Sequence, residues 1–91
     1  MPIDFTYKAI RADVMASLQR YIEHHIPTGG FLEAVLSNDL KEAVGRADED
    51  NMRVLPEIVG YLYNEAPGLC WGSPKRVKDW LAKRSLDGGQ Q

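Results

Sequence analysis

The stretch of sequence that decides the fold lies just before the middle of the chain and reads Pro27-Thr28-Gly29-Gly30-Phe31-Leu32-Glu33-Ala34-Val35-Leu36-Ser37-Asn38-Asp39-Leu40-Lys41-Glu42-Ala43. Pro27 lacks a backbone donor and restricts the residue before it, so a preceding helix is predicted to end near His25. Thr28 is a suitable N-cap, because its hydroxyl can accept a hydrogen bond from a free N–H one turn later. The stretch therefore predicts a helix end and a new helix start within a few residues.

A short apolar helix is predicted after the two glycines. Its apolar residues fall on one helical face: Phe31, Leu32, Val35 and Leu36. Asn38 then favours a break, since asparagine tolerates the left-handed conformation at a helix end, and Asp39 with Glu42 has the spacing of a capping box. The apolar spacing nevertheless continues through Leu40, so one kinked helix is the alternative to two helices. The break near Asn38 is preferred.

Helical spacing also covers the regions on both sides of this stretch. Residues 7–25 predict an amphipathic helix of about five turns, starting at Tyr7 with Asp4 or Thr6 as its cap. A third and a fourth helix are predicted over residues 40–47 and about 50–65, with Asp48 or Asp50 as a cap. The apolar positions expected to face the core are Leu40, Ala43, Val44 and Ala47 in the third helix, and Met52, Leu55, Ile58, Val59, Leu62 and Ala66 in the fourth.

The last helix begins with a strong start signal, Ser73 as N-cap and Pro74 at the first helical position. Its expected inner face consists of Val77, Trp80, Leu81 and the stem of Arg84. The whole chain, residues 1–91, is predicted to be a single small all-α domain of four to five helices in an orthogonal or irregular bundle. Residues 1–6 are expected to form an N-terminal arm, and residues 86–91 a frayed, disordered tail.

Composition argues against several classes of protein. The net charge of −2 favours neither nucleic acid nor an anionic membrane. No run of about 20 apolar residues is present, so no membrane span is expected, and the N-terminus lacks the apolar core of a signal peptide. Cys70 is the only cysteine, which excludes an internal disulfide. The expected location is the cytoplasm of a bacterial host cell.

The chemically reactive side chains do not form a recognisable catalytic pattern. His24 and His25 are adjacent and point about 100° apart on a helix, so they do not share one metal ion. Cys70 lies between Leu69 and Trp71 and is expected to be a small core residue. In the first helix, His25 is expected to cover an apolar face and His24 to be exposed to water. We therefore expect no enzymatic activity, no metal and no cofactor.

Charge is distributed unevenly along the sequence. Residues 33–65 contain eight acids and three bases, whereas residues 75–84 contain five bases and one acid. Internal pairing between these regions is the simpler interpretation, and a contact surface for an acidic partner is the other. The candidate partner-binding residues are Trp71, Lys75, Arg76, Lys78 and Tyr63, because Trp71 lies in a loop beside the basic helix. A lid over the core is the simpler interpretation of Trp71, and an exposed anchor for a partner is the other.

Two further binding functions are weighed as alternatives. An anionic nucleotide could bind at an interface between subunits, using Lys75, Arg76 or Arg20 with an aromatic ring. Nucleic acid could bind through the basic last helix, but the acidic junction Asp48-Glu49-Asp50 would repel phosphate at the only helix pair suited to a helix-turn-helix. A homodimer is possible, and binding to an unidentified protein is the favoured hypothesis.

Several motifs together resemble a family of small uncharacterised proteins of phages and prophages. The similarity spans about residues 22–81 and rests on the stretch 27–43, Arg46-Ala47-Asp48, Asn51, Tyr61-Leu62-Tyr63-Asn64, Pro67, Cys70-Trp71-Gly72-Ser73 and Val77-Lys78-Asp79-Trp80. No established activity comes with the resemblance. It implies a phage-type accessory protein, of a kind that often acts by binding a host component such as a defence system.

Overall fold

Helices make up all the regular structure in the part of the chain that can be described. The computed structural model describes residues 7–89, with the side chains of residues 7–83. Its elements are α1 (Ala12–His24), α2 (Gly30–Leu36), α3 (Leu40–Arg46), α4 (Glu49–Glu65), a 3₁₀ turn (Gly68–Cys70) and α5 (Pro74–Gly89). This confirms the predicted all-α fold of one small domain. The predicted N-terminal arm and the last two residues lie outside the described residues.

Helix α1 begins five residues later than its apolar spacing predicts. Tyr7 has a left-handed backbone with φ 63°, and a turn joins the Ile10 N–H to the Tyr7 carbonyl at 3.1 Å. The N-cap is Arg11, so the predictions of a start at Tyr7 and of a cap at Asp4 or Thr6 were wrong. Contacts with α4 explain the difference, because the Tyr7 ring meets Tyr61 edge-on at 5.3 Å and the Asn64 Nδ2 donates to its hydroxyl at 3.0 Å.

The predicted end of α1 near His25 and the predicted helix break near Asn38 are both confirmed. His25 ends α1 in the left-handed conformation, with φ 58°, and Asn38 separates α2 from α3 with φ 61°. The Asp39 N–H donates to the Ala34 carbonyl at 2.9 Å, and the Asp39 carboxylate accepts from the Glu42 N–H at 3.3 Å. Two helices therefore form here, in place of one kinked helix.

The cap of α2 is Gly29, so the prediction of Thr28 as its cap was wrong. The Thr28 hydroxyl donates to the Gly29 carbonyl at 3.3 Å and accepts no hydrogen bond from the first turn of α2. At the start of α4 the predicted cap is confirmed, because the Asp48 carboxylate accepts from the Asn51 N–H at 2.8 Å.

Helices α3 and α4 bury fewer of their large apolar residues than predicted. Helix α3 packs closely on α2 through the small Ala43, which is 2% exposed, while Leu40 is 69% and Val44 is 43% exposed. In α4 the core side is set by Val54, Ile58 and Leu62 at steps of four residues, whereas Met52 is 41% exposed. The prediction that Leu40, Val44 and Met52 face the core was therefore wrong.

Three hydrogen bonds join distant parts of the chain around the core. The buried Tyr21 hydroxyl donates to the Cys70 carbonyl at 2.6 Å. The Trp80 Nε1 donates to the Tyr21 carbonyl at 2.9 Å, and the Gly72 N–H donates to the Leu36 carbonyl at 2.7 Å. Together they link α1, the 3₁₀ turn, α5 and the end of α2, so the loop between the turn and α5 has a defined position.

Helix α5 starts where the sequence predicts it. The Ser73 hydroxyl accepts from the Arg76 N–H at 3.1 Å, and Val77 is buried. The helix continues past Leu86, where fraying is predicted, and reaches Gly89. No helix-breaking residue occurs after Pro74 until the pair Gly88 and Gly89. The predicted packing of the Arg84 stem lies outside the described side chains.

The hydrogen bond from Tyr21 to Cys70 can be tested by Tyr21→Phe. Because the bond is buried and Tyr21 is 1% exposed, we expect the free energy of unfolding in urea to fall by about 1–3 kcal/mol. The matched control is Tyr63→Phe, at a tyrosine that is 57% exposed, for which we expect a change within about 0.5 kcal/mol. Equal losses in the two variants would contradict this account.

The break between α2 and α3 can be tested at Asn38. Asn38→Ala is expected to lower stability by roughly 1 kcal/mol, because a left-handed backbone costs alanine more than asparagine or glycine. Asn38→Gly should retain the stability or raise it. Ser37→Ala is the control, since Ser37 has right-handed backbone angles. Thermal unfolding of the three variants measures the effect, and an Asn38→Ala protein as stable as Asn38→Gly would show that the strained turn is unimportant.

Candidate functional site

An apolar groove of about 110 Å³ lies between α3 and α4. Its apolar lining comes from three helices and one loop: Ala34 and Val35 of α2, Leu40 and Ala43 of α3, Leu55 and Val59 of α4, and Trp71. Helix α2 packs closely on α3 and brings its own residues into the groove. The result is an open apolar concavity on the outside of the bundle.

The apolar surface extends beyond the groove on both helices. Leu40 and Val44 lie one turn apart on α3, and Met52 and Tyr63 continue the spacing of the groove residues on α4. All four are 41–69% exposed. We call this surface the α3–α4 face; it consists of Leu40, Val44, Met52, Leu55, Val59, Tyr63 and Trp71. Exposed apolar side chains grouped on two neighbouring helices are typical of an interaction site.

The candidate residue Trp71 is half-buried in the loop before α5 and belongs to this face. Gly72 follows it with φ 114°, a conformation that L side chains rarely adopt, and a Cβ at this position would lie 3.4 Å from the Arg76 Nη1. The Arg76 Nη1 donates to the Gly68 carbonyl at 2.9 Å and to the Trp71 carbonyl at 3.4 Å. Arg76 therefore fixes the loop that presents Trp71.

The other candidate residues are distributed over two elements. Lys75 pairs with Asp79 at 2.7 Å within α5, and Lys78 is exposed on the same helix. Tyr63 lies on α4, one turn beyond Val59. The structure thus places Trp71 beside Arg76 and puts both Trp71 and Tyr63 on the α3–α4 face, while Lys75 and Lys78 belong to the basic surface of α5.

Among the described side chains, no ion pair joins residues 33–65 to residues 75–83. Among residues 7–83, the pairs of the acidic region use Arg11, Arg46 and Arg53, whereas Lys75 pairs inside α5. Lys83 lies 4.3 Å from the centre of the Trp80 ring. The predicted pairing between the two regions is therefore not seen among these side chains, and Arg84 of the basic region lies outside them.

The surroundings of the α3–α4 face are acidic. Asp39 lines the groove itself. Met52 shares a shallow hollow of about 540 Å³ with Asp48, Glu49 and Arg53, and Arg53 pairs there with Asp50 at 3.9 Å. Residues 33–65, which include α3 and α4, carry a formal charge of −5. An apolar surface with acidic ends is the most distinctive chemical feature of the described chain.

Sequence reasoning identified two members of this face, Trp71 and Tyr63, and assigned Leu40, Val44 and Met52 to the core. One signal was available in the sequence. On a helical projection the apolar and aromatic positions of α4 extend from Tyr61 to Pro56. This arc of about 220° exceeds the width of a single buried stripe. An arc of that width predicts apolar contacts on two sides of the helix.

The buried reactive groups serve the core. Cys70 is 0% exposed, as predicted, and burial raises the pKa of its thiol to about 11. Burial likewise raises the pKa of the Tyr21 hydroxyl. His25 stacks against Trp80 with ring centres 4.7 Å apart, and His24 is exposed, both as predicted.

The described residues show neither a metal-binding cluster nor a membrane-spanning helix. They contain no group of three or more His, Cys, Asp or Glu side chains that could hold a metal ion. No helix among them combines the length and the apolar content needed to cross a lipid bilayer.

Comparison with known proteins gives no relative for this chain. No protein-family model matches the sequence, and neither the curated proteins nor the solved structures contain a significant match. The functional argument therefore rests on the residues of the α3–α4 face.

The burial of Cys70 leads to a pH-dependent stability that can be measured. Between pH 9 and about 11, the unfolded chain has released the thiol proton while the folded chain retains it. Raising the pH through this window therefore favours unfolding, by on the order of 2 kcal/mol in total. We expect Cys70→Ala to show a smaller loss over the same window in urea titrations. Parallel curves for the two proteins would show that the thiol makes no such contribution.

Proposed function

We propose that this chain is a small non-enzymatic binding protein that recognises another protein through the α3–α4 face. The observation that carries the proposal is the exposure of Leu40, Val44, Met52 and Tyr63 around an apolar groove. Leaving large apolar side chains in water forgoes roughly 1.5–3 kcal/mol for each one that could be fully buried. A partner that covers these residues recovers that free energy.

The groove is supported by rigid elements, which suits recognition. The loop of Trp71 is tied to α2 through the Gly72 N–H and to α5 through Arg76. Because Trp71 has a defined position before a partner arrives, little conformational entropy is lost there on binding. A half-buried tryptophan beside exposed leucine and tyrosine is a composition often found at the energetic centre of interfaces.

The wider role that we propose is that of a phage-type accessory protein that binds a host or phage protein and modulates it, in the cytoplasm of a bacterial cell. This part of the proposal comes from the resemblance of motifs such as Cys70-Trp71-Gly72-Ser73 to small phage and prophage proteins. The α3–α4 face supplies a surface suited to that role.

The proposed surface can be tested with Leu40→Ser. Leu40 is 69% exposed, so the variant should fold with a stability change within about 0.5 kcal/mol. The matched control is Leu69→Ser, because Leu69 is also 69% exposed but does not line the groove. Affinity capture from bacterial lysate, quantified by mass spectrometry, should give a partner that is retained by wild type and by Leu69→Ser and lost with Leu40→Ser.

A third variant separates this proposal from binding through α5. Lys75→Glu with Lys78→Glu reverses charges on α5, far along the sequence from α3 and α4. Retention of the partner by this variant is expected. If the α5 variant loses the partner and Leu40→Ser retains it, the proposal of binding at the groove is contradicted. The contact surface would then lie on the basic helix α5, which includes the alternatives in which α5 binds nucleic acid or a nucleotide. Binding of nucleic acid would also weaken steeply with salt.

A further inference from the structure

We propose that the α3–α4 groove receives an amphipathic helix of another protein, whose apolar stripe is flanked by lysine and arginine. This inference rests on the proposed function and adds the kind of partner. Three features of the structure support it: the shape of the groove, the charge near its ends, and the burial of the large apolar side chains on the described part of α5.

The shape of the groove fits one helix better than an extended strand. The groove lies between two helices, and every described regular element is helical, so the described chain presents no sheet edge to which a strand could add. The apolar side of α4 from Met52 to Tyr63 is about 16 Å long, which matches roughly three turns of a partner helix. A helix in such a groove uses anchors at positions i, i+3 or i+4, and i+7.

The charges around the groove favour a basic partner. Asp39 lines the groove, and Glu49 lies beside Met52 in the hollow at the start of α4. Nearby bases offset much of this charge, since Arg11 pairs with Asp48 and Asp50, Arg46 with Glu42 and Arg53 with Asp50. The acidic residues around the groove are Asp39, Glu42, Asp48, Glu49 and Asp50, and with Lys41 of α3 the bases leave an excess of one acidic group among them. Complementary charge steers association and selects among apolar helices of similar shape.

A second copy of the chain fits the groove poorly. A symmetric contact through the α3–α4 face would bring the acidic side chains Asp39 and Glu49 of both copies to the same interface. The basic helix α5 has the opposite charge, but its described apolar residues are already used, since Val77 is 4% exposed and Trp80 and Leu81 pack partly buried against the core. Within residues 74–83 no large apolar side chain is left exposed to enter a groove.

The test uses two designed helical peptides of equal length, with the same leucines at i, i+3, i+4 and i+7 and with either lysine or glutamate at the flanking positions. Binding to the full chain is measured by fluorescence anisotropy at low and high salt. We expect the basic peptide to bind at least about tenfold more tightly than the acidic one at low salt, and the difference to shrink at high salt as the charges are screened.

Substitutions in the protein then locate the binding. Leu40→Ser should weaken the basic peptide by about fivefold or more, as loss of an interface anchor does, and the control Leu69→Ser should leave it unchanged. Glu49→Gln should weaken the basic peptide by about twofold and leave the acidic one unchanged or slightly tighter. Native mass spectrometry of the same samples reports self-association.

Each other result overturns the inference in a recognisable way. If both peptides bind equally and Leu40→Ser weakens both, the groove accepts helices without charge preference, and the proposed function survives. If neither peptide binds while Leu40→Ser still loses the captured partner, the partner is not a basic helix, and the proposed function again survives. A dimer that Leu40→Ser dissociates would make a second copy the occupant. Peptide binding that is insensitive to Leu40→Ser would contradict both proposals.

Discussion

The structure depends on one buried residue, Tyr21, which is hydrogen-bonded to distant parts of the chain through its side-chain hydroxyl and its backbone carbonyl. The hydroxyl donates to the carbonyl of Cys70 at 2.6 Å, and its own carbonyl accepts from the Trp80 indole at 2.9 Å. These bonds join α1 to the 3₁₀ turn and to α5, elements that are distant in sequence. A small domain has little apolar surface to bury, so directional bonds of this kind determine how its few helices are arranged.

The position of the candidate site follows from this arrangement. Because the 3₁₀ turn is held against α1, the loop that follows it passes the end of α2, where the Gly72 N–H meets the Leu36 carbonyl at 2.7 Å. Trp71 is thereby placed among residues of α2, α3 and α4. The core of the protein and its proposed binding surface thus share a boundary at this loop.

The local signals in the sequence were informative wherever the backbone chemistry of one residue decides the outcome. The turn at Asn38, the cap at Asp48 and the start of α5 at Ser73 were all predictable, because each depends on a side chain and a few neighbouring backbone groups. The start of α1 was not predictable in this way, because Tyr7 leaves the helical conformation to contact Tyr61 and Asn64, more than fifty residues away. A contact between residues so far apart in the sequence does not change the spacing of apolar residues around Tyr7, so that spacing cannot predict it.

The same limit applies to the groove. Apolar spacing identifies which side of a helix is apolar, but it does not say whether a neighbour covers that side. Leu40 and Ala43 carry equivalent signals in α3, yet Leu40 is 69% and Ala43 is 2% exposed. The difference arises because α2 approaches α3 closely enough to cover a methyl group and no more, which is a property of helix packing.

The two tryptophans occupy contrasting surroundings, and this has a spectroscopic consequence. Trp80 is hydrogen-bonded through its indole and stacked on His25, so its emission reports the integrity of the bundle. Trp71 lines an open groove, so its emission responds to whatever occupies that groove. Replacing Trp80 by phenylalanine would leave a protein with a single tryptophan, positioned at the surface through which we propose it works.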